Sequence, residues 1–111
     1  MIGRIIPIIQ GDDYDATTHQ PITFTDASWP SLVGAEVLMT VASSLSAEPL
    51  FQVTCSVAGS TVTAVLTHAE TSQLTPGGGY AYDVRAKIGT DVRTLVTRSL
   101  IVVSSPVTVA W

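Results

Sequence analysis

Tyr80, Tyr82, Val84, Ala86 and Ile88 fall at every second position of the chain, with Ala81, Asp83, Arg85 and Lys87 between them. Alternation of this length predicts a strand with one face in a core and the other in water. Gly89-Thr90-Asp91 then reads as a tight connection into a second long strand, Val92 to Val103. The two form a β-hairpin reached through Gly77-Gly78-Gly79, where glycine gives the backbone freedom at the start of the strand.

The same pattern continues upstream. Arg4 to Gln10 predicts a first strand that Pro7 confines to an edge or a bulge, because proline has no N–H for a ladder. Gly11-Asp12-Asp13 is a turn, Tyr14 to Thr25 alternates weakly, and Asp26-Ala27-Ser28-Trp29-Pro30 is a loop. Ala35 to Val41 has the β-branched and apolar content of a core strand. Ser43 to Glu48 is polar and loop-like, and Leu50 to Val57 and Thr61 to Thr67 flank the short connection Ala58-Gly59-Ser60. His68 to Leu74 alone has helical character, a single turn stopped by Pro76. About seven strands with turn signals every 8–12 residues are the pattern of an antiparallel sandwich. The expected fold is an all-β, immunoglobulin-like antiparallel β-sandwich with one short helical turn, spanning residues 1–104.

Residues 105–111 read as a C-terminal arm. Pro106 stops the last strand, yet Val107, Val109 and Trp111 resume period-two alternation. Leaving a tryptophan in water forgoes roughly 1.5–3 kcal/mol of burial. The arm either adds a strand to a neighbouring subunit's open edge or folds back on its own domain.

Composition turns this reading toward assembly. The 111 residues make one domain with one core. Charged residues are only 13% of the chain, about half the usual ~25%, with 11 serines and 15 threonines in their place. A mean hydropathy of +0.41 with so few charges fits a surface partly covered by neighbours. The apolar N-terminal residues Ile5 and Ile6 join the arm as candidate contacts. Charge is also divided along the chain. Residues 1–70 set Arg4 against seven acids, a net of −6, while residues 83–98 set Arg85, Lys87, Arg93 and Arg98 against Asp83 and Asp91, a net of +2. An acidic body with a basic hairpin argues against nucleic acid or an anionic membrane as partner. It suits contacts between copies, with Asp83, Arg85, Lys87 and Arg93 as interface candidates. Ordinary solvated strand faces would look the same.

No residue pattern carries catalysis. Asp12, Asp13 and Asp15 with His19 nearby lack the spacing and distal glutamate of a calcium loop, and read as a turn beside a solvated strand face. Cys55, alone on the apolar side of Phe51, Val53 and Val57, reads as a buried inert thiol, with no disulfide framework or thiolate zinc site. His68 reads as a strand end or helix start. No G-x-S-x-G elbow occurs, and the triple glycine lacks the Lys-Ser/Thr and helix of a phosphate loop. No metal or cofactor is expected. No segment approaches the ~18 apolar residues of a membrane span, and no signal peptide is evident.

Four motifs in order carry a resemblance. The Ile-rich first strand ending in Gln10-Gly11-Asp12 is similar to a "strand then R/Q-G-D" opening, and Leu32-Val33-Gly34-Ala35-Glu36-Val37 to "D-L-T-G-A-x-V". The stretch from Thr61 to Leu66 and the turn Ala69 to Leu74 resemble the family's "T-x-x-Q-T-x-x-L" segment, and Gly79-Tyr80-Ala81-Tyr82-Asp83-Val84-Arg85 resembles "G-x-Y-x-Y-D-L-R". Together they cover roughly residues 4–104 and resemble the N-terminal domain of tailed-phage baseplate upper proteins and the related collar proteins that hold L-shaped tail fibres. Asp26-Ala27-Ser28-Trp29-Pro30 departs from that family's glycine-containing turn. The resemblance implies a non-enzymatic virion protein, made in the host cytoplasm, that multimerises and docks on other virion proteins at the tail, collar or baseplate. A capsid decoration (cement) protein is the runner-up. A carbohydrate-binding module, with Trp29 as its aromatic platform, is the alternative of another class.

Overall fold

The computed structural model describes residues 2–15, 20–43 and 48–106. The elements follow in the order β1 (Ile6–Ile9), β2 (Ile22–Thr25), β3 (Glu36–Ser43), β4 (Pro49–Ala58), β5 (Thr61–Ala64), α1 (His68–Thr71), β6 (Tyr80–Ile88) and β7 (Asp91–Ser104). The strands neighbour one another in the order β1-β7-β6-β3-β4-β5-β2. The chain is thus an all-β sandwich of seven described strands with one helical turn.

Five of the six strand pairings are antiparallel; β1 runs parallel to β7, with Ile6 beside Ile101 and Ile8 beside Val103. No hairpin links the first strand to the last, so nothing forces that pair antiparallel.

Strand β4 makes two layers out of one sheet. Its first part pairs with β3 as far as Val37 beside Cys55, and its last part, from Ser56, pairs with β5. The β5–β2 leaf therefore folds back over β6 and β7. Phe24 of β2 meets Tyr82 of β6 with ring centroids 5.7 Å apart and planes tilted by 33°. Trp29, just beyond β2, donates its Nε1–H to the Leu95 carbonyl of β7 at 3.2 Å. Between the leaves lie Ile8, Met39, Val62, Leu66, Val84 and Val96, all at 1% exposure or less. Burying such a side chain stabilises by about 1.5–3 kcal/mol.

Turn chemistry explains the two tight hairpins. Ala58 pairs with Thr61 across Gly59-Ser60, and Ile88 pairs with Asp91 across Gly89-Thr90. Gly59 (φ +60°) and Gly89 (φ +62°) hold the left-handed backbone that a two-residue loop needs at its first position. Strand β7 also carries extra residues against β6, with register shifts between Tyr82 and Val84 and between Val84 and Arg85. Leu95 and Val96 are both buried there, so a bulge turns two successive side chains into the core.

Two predicted strands are shorter than the pattern implied. In the stretch Tyr14 to Thr25, Tyr14 makes one isolated bridge to Leu66 and a regular strand begins only at Ile22, after Pro21. Thr61 to Thr67 stops at Ala64, because Thr67 caps α1. The Glu70 carboxylate accepts the Thr67 N–H at 3.3 Å, the Glu70 half of a capping box, and also the Thr67 hydroxyl at 2.6 Å.

Candidate interaction surface

The sheet has two outer edges, β1 and β2, and they are treated differently. On β1 the even positions face β7, since Gln10 donates its N–H to the Ser104 carbonyl at 3.0 Å. Pro7 and Ile9 therefore face outward. Pro7 has no N–H, and the N–H of Ile9 goes to the Tyr14 hydroxyl at 2.8 Å. The Ile9 carbonyl accepts from Asp12 at 3.2 Å. The β1 edge offers no free donor from Pro7 to Ile9 and resists pairing with another strand.

On β2 the even positions again face the neighbouring strand, but the outward groups are not closed off. Asp26 donates to the Ser60 carbonyl, in register with Phe24 beside Val62 and Ile22 beside Ala64. These even positions are the hydrogen-bonded pairs, so the N–H and C=O groups of Thr23 and Thr25 point away from β5. Neither pair of groups has a partner among the described residues. This is the open edge of the sandwich.

The outer face of the sheet carries the charges predicted for the hairpin, in a definite order. Asp83, Arg85 and Lys87 project from one face of β6, and their cross-strand neighbours on β3 are Thr40, Leu38 and Glu36. Lys87 thus stands across from an acid of its own chain. Arg85 stands between Leu38 and Thr94 and makes no hydrogen bond or ion pair among the described residues. Arg93 is opposite Ala86, a core position, and so belongs to the other face of the sheet. The structure brings Asp83, Arg85 and Lys87 together and separates Arg93 from them.

Toward the other end of the same outer face the surface becomes apolar. Pro7 lies beside Val102, and Leu100 lies beside Ala81. Ile5 is 62% exposed, and Leu100 and Val102 about half exposed. Ile6 is corrected: it turns inward at 4% exposure because β1 alternates, and only Ile5 of the pair reaches the surface. Val107, Val109 and Trp111 lie outside the described residues. Leu100 and Val102 were absent from the sequence-based candidates. Their signal was the unbroken run Leu100-Ile101-Val102-Val103, too apolar for a strand with one wet face.

No family model matches this chain. Neither does any curated protein or solved structure.

The remaining candidate groups hold structure together. Asp13 accepts the His68 backbone N–H at 2.6 Å and contacts His68 Nδ1 at 3.0 Å, tying the first turn to the start of α1. Thr71, fully buried, donates its hydroxyl to the Asp12 carbonyl at 2.7 Å. Among the described residues no group of three or more His, Cys, Asp or Glu side chains is placed to hold a metal ion; His19 lies outside them. Cys55 is buried, and burial lifts its thiol to about 11, far from a reactive thiolate. It lines an open cleft of about 470 Å³ with Trp29, Leu32, Val33, Ala35 and Val57, and no acid, base or histidine joins that lining. Trp29 is half-buried against the core with its N–H bonded internally. Among the described aromatic side chains Tyr14, Phe24 and Tyr82 are buried and Trp29, Phe51 and Tyr80 partly buried.

Proposed function

We propose that this chain is a non-enzymatic structural subunit of a tailed-phage particle, a β-sandwich adaptor that multimerises and docks on the tail, collar or baseplate. The observation that carries the docking role is the exposed apolar strip Ile5, Pro7, Leu100 and Val102 on the outer face of β1 and β7. A stable domain gains nothing from leaving such a strip in water, and contiguous exposed apolar surface marks an interaction site. The strip shares its sheet face with Asp83, Arg85 and Lys87, which gives an apolar centre with a polar border, the usual anatomy of a protein interface. Its place in a virion rests on the four-motif resemblance of residues 4–104.

The test is incorporation into particles. Leu100→Asp combined with Val102→Asp alters two exposed side chains, so the domain keeps its fold while docking is lost. Deletion of Val107–Trp111 prevents incorporation if the arm serves a neighbour. Normal incorporation of the Leu100→Asp/Val102→Asp protein would sink the docking face. The copy number per particle then distinguishes a tail or collar ring from a capsid decoration, since only the latter scales with the number of capsomers.

A further inference from the structure

We infer that the open β2 edge pairs with the β2 edge of a second copy, antiparallel and about a two-fold axis, so that Thr23 of each copy lies opposite Thr25 of the other. This inference does not depend on the particle in which the chain serves.

The main-chain groups are self-complementary in that register. Thr23 and Thr25 each direct one N–H and one C=O outward. Centring the axis on Phe24 makes both threonines members of hydrogen-bonded pairs, and every outward donor then meets an outward acceptor. Sliding the register to place Thr23 opposite itself would set Thr25 against Pro21, which has no N–H to give. Placing Thr25 opposite itself would set Thr23 against Ala27, which already lies in the turn beyond β2, so the Phe24-centred register is the one in which both threonines pair fully.

The side chains agree. Thr23 and Thr25 are exposed on the outer face, beside Thr63 and Thr61 of β5, and Thr25 Oγ1 is 2.9 Å from Thr61 Oγ1. Pairing two copies would continue this uncharged threonine ladder across the axis, and cross-strand Thr–Thr pairs are favourable. Gln20 to Thr25 carries no charge, so the edge lacks the lysines that usually guard an open strand. The nearest like charges are the two Asp26 carboxylates. They would sit four positions apart along the strands, roughly 14 Å at the rise of a β-strand. That exceeds the Debye length of about 8 Å at physiological salt, so their repulsion is screened.

The edge is short, and four residues a side bury less than the ~1,000 Å² of a specific stable interface. The pairing is therefore weak between free copies and becomes effective where another contact already holds them side by side.

The test uses the full chain. A mixture of Thr23→Cys and Thr25→Cys proteins places the two thiols in one hydrogen-bonded pair, at a Cα separation of about 5.5 Å that a disulfide can bridge. With equal amounts of the two proteins, mild oxidation should give the mixed dimer well above the one half of all dimers that random coupling yields, with buried Cys55 silent. Sedimentation over a concentration series should show wild-type self-association, weakened about tenfold or more by Thr23→Pro, which removes two of the four intermolecular bonds. Thr25→Lys, which leaves the backbone intact, should weaken it too, so a folding defect in the proline variant leaves the test in place. A chain monomeric at every concentration, or a mixed dimer at no more than the random one half of the product, would overturn the inference. Loss of the mixed dimer on deleting Val107–Trp111, at unchanged melting temperature, would give the edge to that tail and overturn it as well.

Discussion

The Tyr14 hydroxyl accepts the backbone N–H of Ile9 at 2.8 Å and so closes the one donor that Pro7 leaves on the outer edge of β1. Tyr14 is buried, and its own backbone is bonded to Leu66 in both directions. Tyr14→Phe keeps the ring and the bridge and removes this acceptor. The expected loss of stability is about 1 kcal/mol. Amide hydrogen exchange at Ile9 should quicken well beyond that of Gln10, and unchanged protection at Ile9 would show that the edge is closed by something else.

Gly3 occupies a place that no side chain can share. A Cβ there would stand 2.0 Å from Ser99 Oγ and 2.7 Å from Ser99 Cβ. Gly3→Ala must therefore push the lead-in to β1 away from β7, at about 1–3 kcal/mol by analogy with overpacked cores. Ser99→Gly in the same chain should recover most of the loss in thermal melts. If the double variant melts no higher than Gly3→Ala, the close approach is not the cause.

Burial raises the Cys55 thiol from its ordinary 9.0 to about 11. The folded value lies above the unfolded one, so the contribution of this group is intact below pH 9 and is lost as the pH climbs through that interval. Tyr82 and Tyr14 are also raised by burial and act in the same direction from 10.0 upward. Comparing wild type with Cys55→Ala cancels both tyrosines. The difference in melting temperature between the two should shift against the wild type between pH 9 and 11, and at neutral pH the native thiol should resist alkylation until the domain is unfolded.

Arg85 and Lys87 share a face but not a situation. Lys87 has Glu36 directly across the ladder, whereas Arg85 has Leu38 and Thr94. Arg85→Glu should leave stability within about 0.5 kcal/mol, as exposed substitutions do. In the docking role proposed above it should slow attachment, with the effect shrinking as salt is added. Lys87→Glu should slow docking less. Equal effects of the two substitutions would argue for a general field and against a specific contact at Arg85.

The long elements were legible because their alternation is clean. Tyr80–Ile88 was predicted to the residue, and the capping residues Thr67 and Glu70 lie at the start of the predicted helical turn. The roles of Ile6 and Arg93 were not legible. Ile5 and Ile6 are equally apolar, and only the ladder with β7 decides which one faces the core. Arg93 lost its expected neighbours because the turn holds two residues and not three: Asp91 pairs with Ile88, so Arg93 falls opposite Ala86 and turns to the other face, a one-residue slip that local sequence does not reveal. The difference between the two edges was hidden as well, because it depends on where Tyr14 and Asp12 fold back on Ile9.

The parallel pairing of β1 with β7 joins Ile6 to Ile101, 95 positions further on. On the ribosome the first strand must therefore wait for the last, and contacts of such separation make folding slow. During that interval the nascent chain displays an isoleucine-rich segment with no mate. Pro7 in its middle denies stray strands a continuous ladder. The residue that blunts one edge of the finished domain thus also limits stray ladder formation by that segment before β7 is made.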